Sequence, residues 1–182
     1  DDVAYRSAHI RAVGDLMMHQ RQLEIADQGD GTYDFHPQYA LIADSLAAAD
    51  YTMANLETTV GKYNDQPYSG FPRFNAPESI LSAIQDAGVD FLTLANNHTG
   101  DYGTLGYEST WDALVAAGVQ PVDTNHPYVV EVKGVKIGVV GIYAAGYFAK
   151  RKMMKDAVQR ARDAGAEAVV VMVHAGQEYD GL

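Results

Sequence analysis

The sequence predicts an α/β protein built on a largely parallel central sheet, and three observations carry that prediction. First, three junctions repeat one order: an apolar-periodic helix, then Ala-Gly, then a short apolar strand. They are LSAIQDAGVDFLTLANN, WDALVAAGVQPVDT and VQRARDAGAEAVVVMVHAG. Strands that alternate with helices build layered α/β architectures. Second, several apolar strands end in polar donors at their carboxyl ends, where open α/β sheets bind ligands. Third, 182 residues at 47% hydrophobic content bury one good core, so a single domain over 1–182 is expected.

In chain order, HIRAVGDLMMH reads as the first strand and ALIADSLAAAD (40–50) as an early helix. YTMANLETT reads as the second strand. The stretch 61–77, GKYNDQPYSGFPRFNAP, is a long polar, aromatic, Gly- and Pro-rich loop. Loops of that length inside a compact domain are usually functional or mobile. Pro77 suits the first turn of the helix that closes at Gly88, and Thr104 or Ser109 suits the cap of the next one. Gly88, Gly118 and Gly165 each stand where a helix ends in the left-handed conformation before a strand. YVVEVKGVKIGVVGIY (128–143) differs, because two β-branched runs flank Gly134 and read as an antiparallel hairpin. AKRKMMK (149–155) then puts four cations at a helix start, where the dipole favours anions. The cluster Lys150–Lys155 reads as a solvated face. The chain ends in HAGQEYDGL, just past a strand. Segments near 145–150 and after 182 are therefore expected to be missing. The start, DDVAYRS, lacks Met and reads as a trimmed or mature beginning.

Composition narrows the function classes. The formal net charge is −11, from 24 acidic residues against 13 Lys and Arg. Such a surface repels nucleic acid and anionic lipid, so no nucleic-acid partner is expected. An anionic substrate needs cations or a local arginine to approach. Zero cysteines excludes disulfides and thiolate metal sites. The longest apolar run, AVVVMV, has the length of a strand and not of a membrane span.

The strand ends carry the chemistry. HIRAVGDLMMH delivers Asp15, with His19 four residues on. YTMANLETT ends in Glu57, FLTLANNH in Asn96, Asn97 and His98, and VVVMVHAG in His174. Carboxylate, amide and imidazole donors without a thiol suit Mn, Fe or Zn, as one ion or as a pair. A carboxylate such as Glu57 can bridge two cations and let them share an activated water, and His98 can protonate a leaving group. Each residue also has a plain structural role. Gly-Asp after a strand is a common turn, Glu57 can neighbour a helix cap, and asparagines tolerate left-handed turns. His174 can be a hydrogen-bonded core histidine, His19 a surface helix residue, and Arg73 the partner of a surface carboxylate. Four strand ends delivering donors to one sheet edge favour the joint reading as a site.

GDLMMH, NLETT, GFPRFNAP, AGVDFLTLANNHTGDYG and VVVMVHAGQEY occur in the order and spacing of the CapA family of poly-γ-glutamate capsule synthesis proteins. That family is similar to calcineurin-like metallophosphoesterases, and the resemblance covers the chain from about Ala8 to Tyr179. It implies a four-layer metallophosphatase-like sandwich with largely parallel central sheets. It places Asp15, Glu57, Asn97 and His174 as metal ligands, with Glu57 where the superfamily's bridging aspartate stands. His98 matches the catalytic histidine, Arg73 lies in the loop over the site, and His19 matches a histidine of one branch. The family's further GHHPH-like segment and the longer loop after GVVGIY are absent, and HAG replaces the more usual HWG.

The resemblance implies a metal-dependent, phosphoesterase-type hydrolase. It equally admits a non-catalytic, metal-dependent component that grips poly-γ-glutamate during assembly or export. A generic α/β binding domain with incidental polar strand ends is the third reading. The implied partners are an anionic substrate (a phosphoester or poly-γ-glutamate) and membrane-bound capsule synthase components. The implied location is extracytoplasmic, secreted or behind a membrane anchor.

Overall fold

A computed structural model describes residues 5–62, 66–144 and 151–176. Strand β1 (Ile10–Leu16) leads through helix α1 (Gln20–Ala26) and the short helices α2 (His36–Tyr39) and α3 (Ala43–Ala47) to β2 (Tyr51–Leu56). Two short strands, β3 (Thr59–Val60) and β4 (Asn75–Ala76), pair with each other across the long loop. Helix α4 (Ser79–Asp86), β5 (Phe91–Thr93), α5 (Gly103–Ala116) and β6 (Pro121–Val122) follow. Then come the hairpin strands β7 (Tyr128–Val132) and β8 (Val135–Tyr143), helix α6 (Arg151–Asp163) and β9 (Ala168–His174).

These elements stack in four layers. One sheet has the order β1-β2-β5-β6 and is parallel throughout. The other has the order β7-β8-β9, with β7 antiparallel to β8 and β9 parallel to it. A first core lies between the helices that precede and interleave the parallel sheet and that sheet's outer face, around Phe35, Leu56, Ile80, Leu81, Ile84, Leu92 and Leu114. A second joins the two sheets through Met53, Phe91, Val122, Val132, Ile137 and Val139. A third, of Val140, Ile142, Ala157 and Ala161, seats α6 on the far face of the second sheet. Each fully buried side chain of Leu, Ile, Val, Met or Phe size stabilises the fold by roughly 1.5–3 kcal/mol relative to exposure.

Local sequence explains the elements. In α4, Ile80, Leu81, Ala83 and Ile84 are buried, the spacing of one helical face. Gly88, Gly118 and Gly165 adopt φ of 93°, 78° and 96°, and each ends its helix as expected. The hairpin turns on Lys133 and Gly134, with φ of 49° and 76°, the twist that suits a two-residue connection. Some boundaries differ from expectation. Pro77 stands before the N-cap Glu78, and its carbonyl accepts the Ile80 N–H. Neither Thr104 nor Ser109 caps α5, whose N-cap is Tyr102. Ser109 instead donates to the Val60 carbonyl, so its position is set by tertiary contact. The helix in 40–50 is limited to α3. Within the 61–77 loop, Asn75 and Ala76 pair with β3, and the Phe71–Pro72 bond is cis. Positions 145–150 lie outside the described residues, as does 177–182.

Two close approaches fix the layers. A Cβ on Gly138 would stand 2.9 Å from the Cβ atoms of Ala161 and Ala166, so only glycine lets α6 sit this low. A Cβ on Gly141 would stand 2.9 Å from Ala95 Cβ and 3.3 Å from Thr93 Cβ. Gly141 thus lets the two sheets close at their carboxyl edge. Because β8 and β9 are parallel in register, Tyr143 opposite His174, that closure carries His174 towards the ends of β1, β2 and β5.

Candidate metal centre

Four chain segments meet at this edge. Asp15 comes from β1, Glu57 from the residue after β2, Asn97 and His98 from the turn after β5, and His174 from the end of β9. Asp15, Glu57 and His174 each present a ligand atom within 4.8 Å of the others. His174 Nδ1 lies 3.3 Å from Asp15 Oδ1, and its Nε2 lies 3.6 Å from Glu57 Oε1. Asn97 brings its amide oxygen to 2.6 Å from His174 Nε2.

The FLTLANNH stretch divides its labour among three residues. Asn96 is buried and closes the turn: Nδ2 donates to Leu56 O at 2.8 Å and Asn55 Oδ1 at 3.1 Å, while Oδ1 accepts the His98 N–H at 2.9 Å. Asn97 is exposed and reaches His174. His98 is buried, with Nδ1 2.8 Å from Asp101 Oδ2 and Nε2 3.9 Å from Glu57 Oε1. An ionised carboxylate only accepts, so Nδ1 carries the proton towards Asp101. That leaves Nε2 facing Glu57, buried and without a hydrogen-bond partner. A buried polar atom without a partner costs about 1–3 kcal/mol. Such orphans mark places where a further group is received.

The loop over the site is built from aromatic edges. Phe74 stands edge-on to His98 at 4.6 Å and to His19 at 5.0 Å, and its N–H donates to Asp101 Oδ2 at 2.6 Å. One carboxylate oxygen therefore fixes both His98 and the loop. Arg73 lies over the Tyr102 ring at 4.3 Å, and the Tyr102 hydroxyl pairs with Ser69 Oγ at 2.7 Å. His19 is the N-cap of α1, its N–H donating to Gln22 Oε1, and it stands outside the three-residue cluster. Gly70 meets the backbone of His19 and Gln20 so closely that any Cβ would clash.

Sequence reasoning missed two residues. Asn55 is buried on β2 and donates from Nδ2 to Asp15 Oδ1 at 2.7 Å, while Oδ1 accepts from Thr93 and Asn96 at 3.1 Å. It ties β1, β2 and β5 together beneath the Asp15–Glu57–His174 cluster. A lone amide in the apolar run TMANL was the available signal. Asp101 follows His98 by three residues, a spacing that brings side chains together on one turn.

Four layers and a carboxylate–imidazole cluster at the strand ends define a metallophosphatase-like α/β protein. The chain belongs to the bacterial capsule synthesis protein family PGA_cap, whose family model matches residues 9–181. It is 29% identical to the capsule biosynthesis protein CapA of Bacillus anthracis over 92% of its own length and 46% of that protein's. It is 26% identical to the PGA biosynthesis protein CapA of Bacillus subtilis (strain 168) over 92% of its length and 49% of that protein's. The chain thus spans about half the length of these curated relatives. Among solved structures, a hypothetical protein from Thermus thermophilus shares the fold, with a TM-score of 0.50 at 18% identity. That alignment covers 93% of this chain and 58% of the other.

Proposed function

We propose that this chain carries the metal-dependent centre of a capsule synthesis protein and that the centre hydrolyses an anionic substrate. One observation carries the reading. Asp15, Glu57 and His174 converge within 4.8 Å while the buried, unpartnered Nε2 of His98 faces Glu57. The residues fit a divalent cation: two carboxylates and an imidazole converge, an amide oxygen lies beside them, and a thiol is lacking. Asp15, Glu57, His174 and Asn97 would hold one or two ions, of Mn, Fe or Zn class, with His19 a further candidate ligand. Such an ion supplies Lewis-acid polarisation of the substrate and a water nucleophile at neutral pH.

The protein's own groups supply the rest. Asn55 holds Asp15 by its Oδ1, which leaves Oδ2 for a ligand. Asp101 fixes the His98 ring so that Nε2, in the protonated ring, can hand its proton to a leaving oxygen. Arg73, held over Tyr102, steadies an anionic group of the substrate. The substrate is a phosphoester or a γ-glutamyl polymer. The setting is extracytoplasmic, alongside membrane-bound capsule synthase components. No helix of the described residues is long and apolar enough to cross a membrane.

The test is elemental analysis of the purified full-length protein beside Glu57→Ala, followed by turnover of phosphoesters and poly-γ-glutamate with His98→Ala. Stoichiometric metal lost in Glu57→Ala, and turnover lost in a metal-loaded His98→Ala, are the expected results. Absence of metal above background, or unchanged turnover in His98→Ala, overturns the reading. A second reading rests on the relatives' names, which describe biosynthesis, of a capsule in one and of PGA in the other, and not a bond broken. On that reading the loaded centre grips the polymer without cleaving it. Metal-dependent polymer binding with no hydrolysis selects it.

A further inference from the structure

Helix α5 carries a dipeptide pattern repeated at i and i+4: Tyr107-Glu108 and Trp111-Asp112. On a helix that spacing stacks the two rings in one row and the two carboxylates in the adjacent row. The rings do meet, with centroids 5.8 Å apart. His126 closes the third side, edge-on to Trp111 at 4.9 Å. Together Tyr107, Glu108, Trp111, Asp112 and His126 line an open cleft of about 510 Å³.

The walls are fixed in advance. Asp123, behind the rings, accepts from the Tyr107 hydroxyl at 2.9 Å and from the backbone N–H groups of Asn125 and His126 at 2.8 and 2.9 Å. His126 Nδ1 lies 3.0 Å from the same carboxylate. Burial, reinforced by Asp123, pushes the Tyr107 phenol up, which keeps it a donor. Glu108 and Asp112, both exposed, line the cleft next to the half-buried rings of Tyr107 and Trp111. Neither forms an ion pair with a described residue. No Lys or Arg lines the cleft. The place is also one where α/β sheets take ligands. Asp123 follows β6, which runs parallel to β5, so the cleft opens at the same carboxyl edge as the candidate metal centre.

From this juxtaposition we infer that the Tyr107–Trp111–His126 cleft binds an organic cation, a guanidinium or ammonium group, between its ring faces and the Glu108 and Asp112 carboxylates. Ring faces attract cations through their quadrupole, most strongly for Trp. Paired carboxylates add charge-assisted hydrogen bonds that a neutral or anionic group cannot make. The cation arrives either as a free small molecule or as a basic side chain of a partner protein. The site does not depend on a metal at Asp15, Glu57 and His174.

Trp111 is the sole tryptophan of the chain, so its emission reports this cleft. The experiment titrates butylguanidinium, butylammonium, the neutral isostere butylurea and the blocked peptide acetyl-Gly-Arg-Gly-amide into the full chain, with EDTA present. Working under EDTA separates this inference from the metal reading, since either can fail alone. A saturable emission change with the cations and not with butylurea is expected, weakened at least tenfold in Glu108→Gln/Asp112→Asn. An unchanged circular dichroism spectrum of the double variant checks the fold. Tighter binding of the peptide than of butylguanidinium identifies a partner's side chain as the source, and the reverse identifies a small molecule. No saturable change, an equal response to butylurea, or undiminished binding by the double variant overturns the inference.

Discussion

The two halves of the candidate centre are held very differently. On the β2–β5 side, the side chains of Glu57, His98 and Asp101 are 5%, 8% and 10% exposed, and β2 is buried along nearly its whole length. On the other side, Asp15 is 44% and His174 19% exposed. Their strands, β1 and β9, are the outer members of their sheets and only part-buried. His98 and Glu57 are therefore positioned by the core. Asp15 and His174 approach from sheet edges, where backbone is less protected and local opening costs less. A cation at the centre would join the less protected half to the fixed half.

The largest break of that comparison is Glu57→Ala, which removes the carboxylate at the seam. Metal binding is expected to fall to background by elemental analysis, while circular dichroism stays native. His98→Ala comes next. Turnover should drop by about 10²–10⁴-fold, the usual share of a general acid, with metal retained. Asp101→Asn should reproduce part of that loss, about 10–100-fold in line with other orienting partners. The readout is a pH–rate profile that shifts without loss of metal.

Smaller effects sharpen the contrast. Gly141→Val forces the sheets apart against Ala95 and Thr93. A denaturant-derived loss of about 1–3 kcal/mol is expected, together with weaker metal binding as His174 recedes. Saturating metal at roughly a hundred times its Kd should add about 2.7 kcal/mol to wild-type stability. Amide exchange should slow more in β9 than in β2.

The smallest effect lies outside both halves. His36 joins α2 to α4, with Nδ1 2.7 Å from Asp34 and Nε2 2.9 Å from Asp86. The Asp34 hydrogen bond first, then that to Asp86, holds the imidazole pKa above its ordinary value. A raised folded-state pKa stabilises fully below the unfolded value, about 6.5 for histidine. The contribution is lost as pH rises through the raised value. The Tm difference between wild type and His36→Gln should therefore be largest below about pH 6.5 and shrink as pH rises through the raised value. It should be small, because both pairs are solvent-screened.

The α/β class, the hairpin at Gly134, the glycine helix ends and most of the donor residues were legible in the sequence. Periodicity, left-handed turn positions and polar strand ends are local signals, and local signals survive in one dimension. Glu57 and His98 stood out because polar groups at the end of apolar runs need a reason to be there. Tertiary structure decided which donors meet. The Gly141 approach brings β9 to the parallel sheet, Asn55 proves to be a hub and not merely a strand residue, and Asn96 locks a turn while its neighbour Asn97 reaches His174. The repeated Tyr-Glu and Trp-Asp pairs became a cleft only once His126, held by Asp123 in the turn after β6, closed its third side. The physical reason is common to all of these. Secondary structure is set by neighbours within a few residues, whereas a site is a set of distances between atoms far apart in the chain, and those are fixed only when the layers pack.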